Sequence, residues 1–261
     1  MGTRIIAVAN QKGGVAKTTS TITLGHVLYA RGARVLMIDS DPQGSLSISS
    51  GIDQEELTQL DAEQRTYYYS LVKKRPLDTI ILKREGKPDL VPAALSLTRV
   101  DQELQNPFGA ARFLRELLAP VLDRYDVILI DCPPSASLLT VNALVAAHGV
   151  LIPSKTDFLS MSGVTQTLEV IDEVRANANP TLSIVGILPT AYDARSTKHD
   201  GRILEQIRLV GNQHGIHVFE PVHLNVAYKQ ASVEGTSVLE YSPGAPGIDV
   251  YELIGQYIYA A

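Results

Sequence analysis

"VANQKGGVAKTTS", Val8 to Ser20, follows a short apolar run and leads into a stretch with helical spacing. A glycine-rich strand-to-helix turn lets backbone N–H groups face phosphate oxygens, and the helix N-terminus adds a favourable dipole. Lys17 is then placed to neutralise β- and γ-phosphates, and the Thr18 hydroxyl to ligate Mg²⁺. The usual spacing, G-x-x-x-x-G-K-[ST], wants glycines at two positions where this chain has Gln11 and Ala16. Its glycines are Gly13 and Gly14, and a further lysine, Lys12, precedes them. The bland alternative is a glycine-rich turn carrying a surface lysine; the run Lys17-Thr18-Thr19 after the glycines argues against it.

Outward from this loop, β-rich apolar runs recur at 4–10, 33–41, 125–131, 149–154, 182–190 and 216–221. They are near-continuous rather than alternating, which suits strands covered on both faces. Stretches with helical spacing lie between most of them: "TSTITLGHVLYARG" ending at Gly32, "GAARFLRELLAPVLDR", and "SGVTQTLEVIDEVRANANP" stopping near Pro180. In the second, Phe113, Leu114, Leu117, Leu118 and Val121 fall on one face. The alternation predicts an α/β fold of the P-loop NTPase type, a mostly parallel twisted sheet with helices on both faces. Residues 52–88 are polar and charged and read as a surface insertion of small helices and loops. No repeat or linker argues for more than one domain over 1–261.

Composition sets limits on function. With 261 residues, 45% hydrophobic and 20% charged, the chain can bury a sizeable core. Its one cysteine, Cys132, excludes an intramolecular disulfide framework or a multi-cysteine metal site in one chain, and fits a reducing cytoplasm. His214 and His217 have no accompanying carboxylate or cysteine motif that would make a metal site. The first residues do not form a signal peptide, and no apolar run reaches the ~18 residues a membrane span needs. A net charge of −5 leaves nucleic-acid binding to local basic patches or to a dimer that concentrates them.

Two more motifs fall where a parallel sheet binds ligands, beyond the C-terminal ends of its strands. "MIDSDPQGS" places Asp39 and Asp41 two residues apart. One carboxylate can orient the loop or metal shell while the other positions an attacking water; an Asp-Pro turn is the plain alternative. "YDVILIDCPPS" ends an apolar strand in Asp131, the usual place for an acid that serves Mg²⁺.

Lys-Gly-Gly-Val-x-Lys-Thr-Thr, Asp-x-Asp-Pro-Gln-Gly and Asp-Cys-Pro-Pro-Ser together resemble the ParA family of partitioning ATPases, with their deviant Walker A motif. The similarity continues through "LLTVNALVAAHGVLIPS" and "SVLEYSPGAPGIDVYELI", and so covers essentially the whole chain. It looks like the short form, without an N-terminal DNA-reading domain. The resemblance implies a cytoplasmic, nucleoid-associated, Mg²⁺-dependent ATPase that hydrolyses ATP to ADP and phosphate. ATP would lie between two subunits of a homodimer, which separate after hydrolysis stimulated by a ParB-like partner. By the same match, Lys12 reaches the partner's nucleotide and acts in catalysis with Lys17 and Asp41. Gly13, Gly14, Val15, Ala16, Lys17, Thr18 and Thr19 surround the phosphates, Asp39 supports the site, and Thr18 and Asp131 serve the metal.

Two departures stand out. Ala16 replaces the family's glycine, which is tolerable at negative φ but costs about 1 kcal/mol at positive φ. Leu224 and Lys229 stand where many chromosomal relatives have arginine and serine. Family members bind DNA non-specifically, through salt-sensitive phosphate contacts. Candidate contacts here are Arg195, Lys198, Arg202, Arg208 and Lys229; a solvated helix face with interleaved Asp193, Asp200 and Glu205 is the alternative. The C-terminal "YELIGQYIYAA" lacks the basic character of a membrane-binding helix. Two other functions share the chemistry or the fold: positioning of a protein cargo, and a metabolic ATP-dependent ligase.

Overall fold

The computed structural model describes residues 2–104, 110–193 and 199–260. Six strands form one sheet: β1 (Arg4–Val8), β2 (Val35–Asp39), β3 (Asp89–Val91), β4 (Val127–Asp131), β5 (Gly149–Lys155) and β6 (Ser183–Thr190). Their order is β3-β2-β4-β1-β5-β6, and every pairing is parallel.

The continuous apolar runs are explained by two cores, one on each face of the sheet. Ile5, Ala7, Leu36, Ile38, Ile128 and Ile130 face one, under the Leu138–Ala146 and Phe158–Asn177 helices. Ile6, Met37, Val127, Leu129 and Leu151 face the other. There α1 (Lys17–Ala30) packs Leu24, Val27 and Leu28 with Ile254 and Ile258 of the C-terminal Ile248–Ala260 helix. Neighbouring side chains on a strand point to opposite faces, so a sheet covered twice needs apolar residues at successive positions.

The structure departs from the sequence reading in three places. Residues 216–221 form no sheet strand: Val218 makes an isolated bridge to Ile187, and Tyr192 another to His223. Pro189 and Pro221 have no N–H to give, so a regular ladder cannot form there. The sixth strand is instead β3, three residues long and flanked by Pro88 and Pro92, too short for its pattern to declare itself. The 52–88 segment is surface only in part. Tyr67, Tyr68, Leu71, Leu77 and Ile80 are fully buried in the main core, while Asp53, Glu55, Glu56, Glu63, Lys73 and Lys74 are exposed.

The Phe113–Leu118 helix tightens to a 3₁₀ turn over Ala119–Arg124, with Pro120 at its start, yet still buries Leu114, Leu118 and Val121. On the opposite side of the molecule two glycines meet backbone to backbone. Gly51 (φ +96°) and Gly235 (φ +64°) leave no room for a side chain: a Cβ on Gly235 would stand 2.5 Å from Gly51 Cα. Beside them the hydroxyls of Ser49 and Ser232 are 2.7 Å apart.

Candidate active site

Strand register assembles the site. Val8 of β1 pairs with Asp131 of β4, and Asp131 pairs with Asp39 of β2. The three motifs therefore leave the sheet at one level, at its C-terminal edge. The turn out of β1 carries Gly14 at φ +72° and Ala16 at φ +65° before α1 begins at Lys17.

Thr18 and Asp131 come together directly. The Thr18 hydroxyl donates to Asp131 Oδ2 at 2.7 Å, and Thr21 Oγ1 lies 3.3 Å from the other carboxylate oxygen. Asp131 is buried. Burial pushes its carboxyl up to about 8, and the nearby Asp39 carboxylate adds to the rise, while Thr18 and Lys17 pull the other way. A hydroxyl and a carboxylate side by side suit Mg²⁺, a hard cation that takes oxygen ligands and keeps several waters. No group of three or more His, Cys, Asp or Glu that could hold a metal occurs among the described residues.

Lys17 sits inside the loop. Its ammonium donates to the carbonyls of Asn10 (3.0 Å) and Lys12 (2.9 Å), and burial lowers its pKa against the pull of Asp131. Lys12, five residues nearer β1, is half-buried, and its ammonium has no partner among the described residues. Val15 is buried, and its carbonyl accepts from Thr190 Oγ1 of β6 at 3.1 Å.

The two acids after β2 have different surroundings. Both oxygens of Asp39 are taken up by its own loop: Oδ2 accepts from Ser47 N (2.8 Å) and Ser47 Oγ (2.7 Å), and Oδ1 from Asp41 N (3.2 Å). Asp39 is fully buried, and that burial pushes its carboxyl up to about 7 despite these bonds. It holds the loop that carries Asp41 onto the end of β2. Asp41 is only half-buried; its Oδ1 accepts from Gln43 N at 2.9 Å. Cys132, next to Asp131, is buried in the core, and burial pushes its thiol up, consistent with a packing role.

Ala16 takes the left-handed conformation, so the condition for a strain cost is met. Ala16→Gly is expected to stabilise the protein by about 0.5–1 kcal/mol, the relief of strain outweighing glycine's entropy. A thermal melt without nucleotide should then rise by about 2 °C. An unchanged or lower melting temperature would count against strain at this position.

Beside the loop lies a cavity of about 500 Å³ lined by Ala16, Thr19, Thr190, Val222, Leu224 and Tyr228, among others. A volume of this size suits a small ligand. Sequence reasoning found its phosphate-loop wall but missed Thr190, Val222 and Tyr228, which reach it only through long-range packing. Their place in the cavity wall leaves no local pattern in sequence.

Of the basic residues named for DNA, Arg202, Arg208 and Lys229 are among the described residues, on two helices. Arg195 and Lys198 lie outside those residues. Arg202 and Arg208 are on the His199–His214 helix, where Arg208 pairs with Glu205 (3.1 Å) and Glu220 (3.5 Å). Lys229 is exposed on the Val226–Val233 helix and lines the cavity beside the phosphate loop. Among the described residues, no helix is long and apolar enough to cross a membrane.

This geometry has known counterparts. Residues 3–184 match the family described as an AAA domain. The chain is 37% identical over 253 residues to the chromosome partitioning protein ParA of Caulobacter vibrioides, covering 95% of this chain and 91% of that protein. It is 37% identical over 259 residues to the chromosome-partitioning ATPase Soj of Thermus thermophilus, covering 98% and 96%. Among solved structures, cobyrinic acid a,c-diamide synthase of Mycobacterium smegmatis with bound ADP and magnesium matches with a TM-score of 0.77. That pair is 35% identical over 89% of this chain and 91% of the other. A parallel sheet with a two-lysine phosphate loop and acids at the ends of β2 and β4, matched along nearly its whole length by partitioning proteins, places the chain in the ParA family.

Proposed function

We propose that this protein is an ATP-driven dimerising switch for DNA segregation. It is an ATPase that works on Mg²⁺–ATP. The observation that carries the switch reading is the pair of lysines on one loop. Lys17 is seated within the loop on two carbonyls, whereas the ammonium of Lys12 has no partner among the described residues. Lys17 turns from those carbonyls to the β- and γ-phosphates, and backbone N–H groups of Gly13 to Thr19 cradle them. Thr18 and Asp131 would hold Mg²⁺, which would supply charge neutralisation at the phosphates. Asp41 positions the attacking water, and Asp39 keeps Asp41 in place. Lys12 then reaches a second subunit's nucleotide, where its charge stabilises the transferring group as an arginine finger would. Dimerisation thereby depends on the γ-phosphate.

The ATP-bound dimer holds DNA through non-specific phosphate contacts, and a ParB-like partner triggers release. The cavity lined by Thr190, Val222 and Tyr228 takes the nucleoside. The test is DNA retention with ATP, ADP or no nucleotide across a salt series, alongside Lys12→Ala. Retention should require ATP and weaken steeply with salt. Lys12→Ala should bind nucleotide yet remain monomeric and lose DNA. ATP-dependent dimers persisting in Lys12→Ala would contradict the switch.

The likeness to a cobyrinic acid a,c-diamide synthase supports a second reading, a metabolic ligase of the same fold. ATP turnover that depends saturably on added cobyrinic acid, with no ATP-dependent DNA retention, would favour it.

A further inference from the structure

The segment just ahead of Gly13 is tied to neighbouring elements as well as to its own loop. Gln11 N–H donates to Thr167 Oγ1 at 3.0 Å. The Thr167 hydroxyl donates in turn to the Gly163 carbonyl at 2.6 Å, one turn back in the Phe158–Asn177 helix. Lys12 N–H donates to Asn10 Oδ1 at 2.9 Å, and the Asn10 side-chain amide donates to the Pro153 carbonyl of β5 at 2.7 Å. At Gly163 the helix touches this segment with nothing between. A Cβ there would stand 2.5 Å from Asn10 Oδ1 and 2.8 Å from Lys12 Cβ. The helix is itself anchored, because Val164, Leu168, Ile171 and Val174 are buried in the main core.

The remaining tie on this segment is Lys17, whose ammonium holds the carbonyls of Asn10 and Lys12. A lysine that turns to phosphate oxygens must give up those carbonyls, since its three donors cannot serve both sets fully. The backbone of Lys12 is then held by Asn10, Thr167 and the close approach at Gly163. We propose that Gly163 and Thr167 are positioning residues that aim Lys12 at the partner subunit's nucleotide. This rests on the switch reading above, in which Lys12 acts across the dimer. A side chain that must reach between subunits gains from a rigid base, because the ordering cost falls before association rather than during it. A hydroxyl bonded to the carbonyl one turn back is common in helices. The unusual features are its second bond, to Gln11 of the loop, and the bare glycine beside it.

The test compares Thr167→Val, Thr167→Ser and Gly163→Ala with wild type and Lys12→Ala. ADP affinity is measured with a fluorescent ADP, and dimerisation by sedimentation with a non-hydrolysable ATP analogue. Thr167→Val and Gly163→Ala should weaken dimerisation by about tenfold or more while ADP affinity stays within about threefold. Thr167→Ser, which keeps the hydroxyl, should restore dimerisation. Parallel loss of ADP affinity, or wild-type dimerisation in Thr167→Val, would each overturn the inference. If Gly163→Ala does not fold, the Val and Ser variants at 167 decide alone. Normal dimerisation in Lys12→Ala is a separate failure: it removes the switch reading, and the positioning role with it.

Discussion

Lys17→Ala should raise the dissociation constant for ATP by about a hundredfold or more, with turnover lost at attainable nucleotide concentrations. The side chain is buried and already poised within the loop, so its charge meets phosphate without solvent screening and with little reorganisation. Two or more charge-assisted hydrogen bonds vanish with it, each worth about 1.5–3 kcal/mol. The fold should survive: the Lys12 carbonyl lies beside exposed Gly13 and Gly14 and can meet water. The buried Asn10 carbonyl loses a donor at some cost in stability, outside either hydrophobic core. Titration calorimetry with Mg²⁺–ATP measures the loss, and a thermal melt shows whether the variant is folded. Affinity within about tenfold of wild type would show that the glycine-rich backbone alone dominates binding.

Asp41→Ala should slow hydrolysis by about a hundredfold to a thousandfold while leaving ATP affinity nearly unchanged, so that ATP-bound dimers accumulate. Asp41 is half-buried at the rim, and only Oδ1 is engaged, by Gln43 N. An oxygen left over is what a water-positioning acid needs. Asp39, two residues away, provides the contrast. With its oxygens already bonded to Ser47 and Asp41, Asp39→Ala should act through stability, because it leaves buried donors without acceptors. Single-turnover hydrolysis and denaturant melts on the pair separate the two roles. Normal turnover in Asp41→Ala would remove it from the chemistry.

The chemistry at the sheet edge was legible because each motif is local: strand, turn and first helical residues are contiguous in sequence. Asp39 and Asp131 were legible as acids at strand ends, and register brings them level with Val8. The strands buried on both faces declared themselves by continuous apolar runs. Less was legible where a residue's role depends on something distant. β3 is only three residues between prolines, so edge pairing with β2 rather than its own pattern makes it a strand. Tyr67 and Tyr68 look like part of a polar insertion until the fold carries them into the core. Ala16 could be posed as a question in sequence, but only the backbone answers it, at φ +65°. Thr167 and Gly163 lie about 150 residues from the loop they touch, and nothing in their own neighbourhood marks them.

The contact between Gly51 and Gly235 bears on how this chain can be recombined. A side chain at either position runs into the main chain of the other, and no rotamer change can relieve a backbone collision. The segment that follows Asp41 and the turn that follows the Val226–Val233 helix thus form a matched pair, joined also through Ser49 and Ser232. A chimera that takes its C-terminal third from a relative must take the matching stretch around residue 51 as well. The stretch after Asp41 and the surface around Lys229 are inherited together, as one module rather than two.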